Sequence, residues 1–120
     1  MIPTPEYIAG FFDGEGSVGL YYDKKNQRWT PEINIGQKAD SRTRRLMDRI
    51  AVRYGVKVKL VNFMLRITIR RKEQILRFIE EILPHSTVKH TQLLVLNEWL
   101  ASPLYSFRTA QLLKSLKRRR

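Results

Sequence analysis

The chain contains no cysteine, which excludes disulfides, cysteine-ligated zinc and thiol nucleophiles. No apolar run approaches the roughly 18 to 20 residues that a bilayer-spanning helix needs. The opening MIPTPEY holds no basic segment followed by an apolar stretch, so no secretory signal is read there. The expectation is an intracellular protein (cytoplasm, nucleoid or organelle matrix), not secreted and without a membrane partner. Acids are scarce as well. Eleven Asp plus Glu stand against twenty-three Lys plus Arg, a net charge of +12. That excess favours a polyanionic partner, nucleic acid ahead of an acidic membrane surface. There are two histidines, His85 and His90, and neither sits in a pattern suggesting a base or a ligand.

What the chain does have is enough apolar material for one ordinary core. At 120 residues and 42% apolar it reads as a single domain over 1–120. The basic residues are spread along it, which suggests a charged face more than one sticky tail. The exception is a basic C-terminal helix and tail at about 106–120, ending in KSLKRRR. That end reads either as solubilising or as a source of additional phosphate contacts.

The element pattern is helix, two strands, helix, two strands, then helices. TPEYIAGFFDG is a helix with Thr4 as cap, Pro5 in the first turn and Glu6 favourably placed, ended by Gly14 and Gly16. SVGLYYD and WTPEINIGQ are two strands joined by KKNQR. Asp40 or Ser41 opens a second helix with the stripe Leu46, Met47, Ile50 and Tyr54, stopped by Gly55. VKVKLVN and FMLRITIR form a strand pair, with Val56, Val58 and Leu60 facing the same side as Leu65, Ile67 and Ile69. A third helix spans about 73–83 with Ile75, Leu76, Ile79, Ile82 and Leu83. A fourth runs from near Lys89 to Leu100, and a last one from about Ser106 to Lys117. The predicted class is α+β: an antiparallel sheet with helices on one face.

The other sheet face is predicted to carry Tyr21, Asp23, Lys25, Arg28, Thr30, Glu32, Asn34, Lys57, Lys59, Arg66 and Thr68. A wet polar face would look much like this. The mixture of basic, amide, hydroxyl and acidic groups is also the one that reads base edges and phosphates.

YIAGFFDGEG raises a sharper question. A helix C-terminus carries partial negative charge, so Asp13 and Glu15 sit where acids are disfavoured by about 0.3 to 1 kcal/mol each. DGEG can be a polar turn that ends a helix, or it can await a cation such as Mg²⁺, which takes one or two carboxylates plus phosphate oxygens. Gly10 and Gly14 lie four apart, beside Ala9 and Asp13, and small residues at that spacing let another backbone approach. A second copy crossing there would bring two acidic ends together in a two-fold dimer.

IAGFFDGEG, Ile8 to Gly16, closely resembles the signature of the LAGLIDADG homing endonucleases in its Asp-Gly-Glu-Gly variant. Tyr7 before it and Ser17-Val18 after it fit the resemblance. So do IGQKAD closing a strand pair, and the Leu-Pro step followed by a lysine and Thr-Gln entering a helix. The resemblance implies the α-ββ-α-ββ-α fold with a saddle-shaped DNA-binding sheet. With one motif in the chain, it also implies a homodimer whose interface includes Ala9, Gly10, Asp13 and Gly14. The activity implied is a double-strand break by metal-dependent hydrolysis, leaving 3′ overhangs in a pseudo-palindromic duplex of about two helical turns. The implied cofactor is Mg²⁺, with Mn²⁺ as alternative. The implied metal site is Glu15, the carbonyl of Gly14, and Asp13 in a more structural part. Gln37, Lys89 and an arginine would complete the catalytic set. QKADSRTRR is about two residues longer than the family pattern, so Arg42, Arg44 and Arg45 compete, with Arg42 favoured. The same resemblance leaves an intron RNA maturase, with intron RNA as partner, or a non-catalytic DNA-binding regulator as alternatives.

Overall fold

Thr4 starts the first helix by chemistry that its position before a proline allows. Its side-chain oxygen accepts from the Tyr7 amide at 3.2 Å, and α1 runs Pro5–Glu15. The computed structural model describes residues 3–118. Arg119 and Arg120 of the predicted basic tail lie outside the described residues. Gly14 does not end α1, as the sequence suggested; the helix continues one residue further and Gly16 caps it. A Cβ at Gly16 would sit 2.1 Å from the Phe12 ring, so only glycine lets the chain turn this tightly from helix into strand.

β1 (Gly16–Asp23) and β2 (Arg28–Lys38) form one hairpin, β3 (Val58–Val61) and β4 (Met64–Ile69) the other. They join as a single antiparallel sheet in the order β1-β2-β4-β3. Between the hairpins runs α2 (Ser41–Arg53), which Asp40 caps by accepting from the Thr43 amide at 2.9 Å. Gly55, at φ +70°, releases the chain after it. α3 (Lys72–Ile82), a 3-10 turn (Leu83–His85), α4 (His90–Ala101) and α5 (Ser106–Arg118) follow. The architecture is the predicted α+β class.

The core lies between one sheet face and the helices. Ile33, Ile35, Leu65, Ile67 and Ile69 from the sheet meet Ile8 and Phe12 of α1, Met47 and Ile50 of α2, and Ile75, Phe78 and Ile79 of α3. Phe78 stands edge-to-face between Phe12 and Tyr54, each centroid 5.0 Å away. Arg53 locks α2 to α3 by donating to both carboxylate oxygens of Glu81 at 3.2 and 2.6 Å.

The second strand pair is shorter than its alternation suggested. Val56 and Lys57 precede β3, and Leu60 is exposed because it lies at the open end of an edge strand. Leu76 is also exposed, and Leu83 belongs to the 3-10 turn after α3.

Candidate active site and nucleic-acid interface

The carboxylate end of α1 is anchored from the far side of the chain. Asp13 accepts from the Ser86 hydroxyl at 2.6 Å, the Thr87 amide at 2.8 Å and the Lys89 amide at 3.2 Å. α4 has no cap of its own from Lys89, and Asp13 supplies the acceptor that this turn needs. In return the Lys89 ammonium donates to the Asp13 backbone carbonyl at 2.6 Å. A cation is thereby placed at a helix C-terminus, where the dipole favours it. Lys89 is only 4% exposed and Ser86 8%. Burial alone would raise the Asp13 carboxyl, but the hydrogen bonds from Ser86, Thr87 and Lys89 outweigh it and hold it below the ordinary 3.8. The acid at the unfavourable helix end is thus offset within the chain. Asp13 is turned inward to this loop and not to the open helix face.

Ala9 is also inward and fully buried. The open face of α1 is instead Tyr7, Gly10, half-buried Phe11 and Gly14, at the spacing of one helix stripe. A Cβ at Gly10 or Gly14 would meet nothing within 4 Å. Of the four proposed interface positions, the two glycines lie on this bare strip and Ala9 and Asp13 do not.

Glu15 is exposed at the last position of α1, with Gly14 before it. Gln37 lies at the same end of the sheet, two residues beyond Ile35, the partner of Gly16. Its side-chain oxygen accepts from the Lys38 amide at 3.0 Å. The arginines are placed differently. Arg42 and Arg45 line a cleft of about 460 Å³ with Pro3, Thr4 and Tyr7, beside the opening turns of α1 and away from Glu15. Arg44 pairs with Asp48 at 3.3 Å. His85 lies 3.3 Å from Glu6, and His90 contacts the Leu83 carbonyl at 3.0 Å. Ser86 and Thr87 were missed in the sequence. The available signal was that they stand between the Leu-Pro step and Lys89.

The outer sheet face follows from the register. Tyr21 pairs with Thr30, Asp23 with Arg28, Asn34 with Thr68, and Arg66 with Lys59, so these side chains share one side. A ladder orders its middle: Arg70 donates to Glu32 at 3.0 Å, Asn34 to Glu32 at 2.8 Å, and Thr68 to Asn34 at 2.7 Å. Arg70 was not among the predicted face residues. Two predicted ones are displaced: Lys25 lies in the β1–β2 turn and Lys57 in the segment before β3. Asp23 shapes that turn, accepting from the Lys25 amide and from Asn26 backbone and side chain. The Asn26 bonds chiefly hold its carboxyl below 3.8. At the β1 edge Lys117 of α5 lies 3.4 Å from the Tyr21 hydroxyl and 5.8 Å from its ring centre. The last turn of α5 therefore arrives beside the outer face.

Residues 8–100 match the family model described as LAGLIDADG endonuclease. No curated protein sequence matches the chain. In fold it is similar to the homing endonuclease I-CvuI, crystallised with a DNA target left uncleaved in the presence of Mg. That likeness has a TM-score of 0.74 at 15% identity, over 94% of this chain and 79% of that one. An archaeal intron-encoded homing endonuclease complexed with DNA gives 0.74 at 16% identity, over 97% and 85%. The homing endonuclease I-GzeII in complex with its DNA target gives 0.71 at 18%, where this chain spans 43% of the other.

Proposed function

The chain belongs to the LAGLIDADG endonuclease family, and from that premise we propose that it is a homodimeric, site-specific homing endonuclease. It makes a metal-dependent double-strand break in a duplex of about two helical turns, leaving 3′ overhangs. One observation carries the DNA reading above all. Lys59 and Arg66 stand directly opposite one another on the outer sheet face. Like charges so placed destabilise a free sheet, and a phosphate lying between them reverses that effect.

The donor set at the end of α1 fits Mg²⁺. Glu15 and the Gly14 carbonyl are oxygen ligands, and Mg²⁺ is ordinarily held by one or two carboxylates completed by phosphate oxygens and water. Among the described residues no three acidic or histidine side chains cluster, so one protomer offers a partial ligand set that DNA completes. A divalent ion bound there supplies an acidified water and charge for the leaving oxygen; Mn²⁺ has the same ligand preference.

The chain's own residues do the rest by position. Lys89 fixes the Asp13 carbonyl, and with it the last turn that presents Gly14 and Glu15. Asp13 braces that turn against residues 86–89, and is assigned to bracing and not to the ion. The Gln37 amide orients water at the sheet end. The outer face, with Tyr21, Arg28, Thr30, Glu32, Asn34, Lys59, Arg66 and Thr68, holds the duplex, and Lys25 and Lys57 flank it. The strip Tyr7-Gly10-Phe11-Gly14 receives the same strip of a second copy, so that each Glu15 serves one strand. Arg42 and Arg45 flank the opening turns of α1 and Arg44 pairs with Asp48, so the catalytic set at Glu15 is built without them.

The test is cleavage of a duplex selected by binding from a randomised library. Wild type and Glu15→Gln are compared in Mg²⁺ and in Ca²⁺. A double-strand cut by wild type in Mg²⁺, lost in the variant while binding persists, is the expected result. Selective binding without a cut points to a regulator. Failure to select any duplex, with binding to intron RNA, points to a maturase.

A further inference from the structure

The outer face changes character at the sheet end nearest Glu15. Val61 and Met64 form a cross-strand pair there, 42% and 37% exposed. Asn62 and Phe63 make the turn between the two strands, and Phe63 is 86% exposed. Cations border this apolar island. Met64 is the cross-strand neighbour of Lys38, and the next pair along the same face is Lys59–Arg66.

That frame selects the occupant. A purely apolar partner gains nothing from three cations at its rim, and a bare phosphate gains nothing from three apolar side chains. The duplex major groove offers both together: phosphates at its edges and the thymine C5-methyl group at its floor. The island is also continuous with the polar ladder already assigned to DNA. We infer that Val61, Met64 and Phe63 form an apolar reader of thymine methyl groups, resting on the endonuclease reading above. Its place in the half-site is the inner part. Lys38 lies three residues past the Gly16–Ile35 pair, about 10 Å along the strand from the end of α1. The Asp23–Arg28 pair lies at the opposite end of the hairpin.

The experiment starts from the duplex selected for wild type. Each thymine is replaced in turn by deoxyuridine, which removes the methyl group and leaves every hydrogen-bonding edge intact. Affinity is measured for wild type, Val61→Thr, Met64→Ala and Phe63→Ser. All three positions are exposed, and circular dichroism checks that each variant folds. Wild type is expected to lose about fourfold at one or two thymines per half-site, the worth of one methyl-sized apolar contact. At least one variant is expected to become indifferent to that same replacement while still responding to base changes elsewhere. No methyl-sensitive thymine, or equal sensitivity in all variants, overturns the inference and leaves the endonuclease reading standing. A variant that sediments as a monomer where wild type is a dimer places the island in the subunit interface and likewise overturns it. Failure to select any duplex overturns both readings together.

Discussion

Lys89 and Asp13 hold each other twice: the lysine ammonium donates to the aspartate carbonyl at 2.6 Å, and the lysine amide to the aspartate carboxylate at 3.2 Å. The pair joins the end of the helix that carries Glu15 to the start of α4. Replacing Lys89 by Met keeps the buried aliphatic stem and removes only the ammonium. The expected cost is about 1 to 3 kcal/mol from the orphaned carbonyl and the missing charge at the helix end. Urea unfolding measures that cost. Cleavage is expected to fall at least tenfold while DNA affinity stays within twofold, because the outer sheet face is untouched.

Asp13 gives the site a pH signature. Its folded carboxyl lies below the ordinary 3.8, so its contribution to stability is complete above that value and is lost as pH falls through the lowered folded value. Asn at this position accepts no proton. The stability gap between wild type and Asp13→Asn is therefore expected to be widest near neutrality and to close in acid, starting below about pH 4. Urea midpoints across that range check it; a gap independent of pH sinks the assignment.

Gly10 separates the protomer from the dimer. With open space around its missing Cβ, Gly10→Leu is expected to leave the isolated fold intact. It should even gain up to about 1 kcal/mol of helix propensity. The bulk then stands on the strip assigned to the proposed dimer contact. Equilibrium sedimentation is expected to show monomer at concentrations where wild type is dimeric, with cleavage abolished. A stable, active dimer would move the interface elsewhere.

The end of α5 bears on salt dependence. Lys117 reaches Tyr21 beside the outer face, and three arginines follow it. Deleting residues 117–120 is expected to reduce the slope of log affinity against log salt by about 0.9 for every phosphate that this end neutralises. The preferred duplex should not change, since phosphate contacts carry no sequence information. An unchanged slope refutes a DNA role for this end.

Local rules made much of this legible. The Thr4 and Asp40 caps, the alternation in β2 and β4, and the Gly10–Gly14 spacing all depend on residues within a few positions of one another. What failed is what distance decides. Ala9 and Asp13 share a helix with the two glycines, but which side the core takes is set by Phe78 and Ser86, both remote in sequence. The alternation through Val56 and Lys57 continues past the point where strand pairing stops, because side-chain period says nothing about hydrogen-bond partners. Lys25 reads both as part of the KKNQR connection and as a residue of the outer face, and it serves a turn whose shape Asp23 determines. Arg42 lay near the motif pattern, yet at the start of α2 it lines a cleft with Pro3, Thr4 and Tyr7 beside the opening turns of α1.

The brace between Asp13 and Ser86 also has a kinetic side. It spans 73 positions along the chain, whereas each hairpin closes through a turn of a few residues. Local pairings form cheaply and early in a growing polypeptide, and long closures wait for the intervening chain. A ribosome-bound fragment that has already emerged with its IAGFFDGEG segment still lacks the serine and lysine that steady it. The brace is thus complete only once residues 86–89 have emerged, and a product terminated before them carries the motif without it.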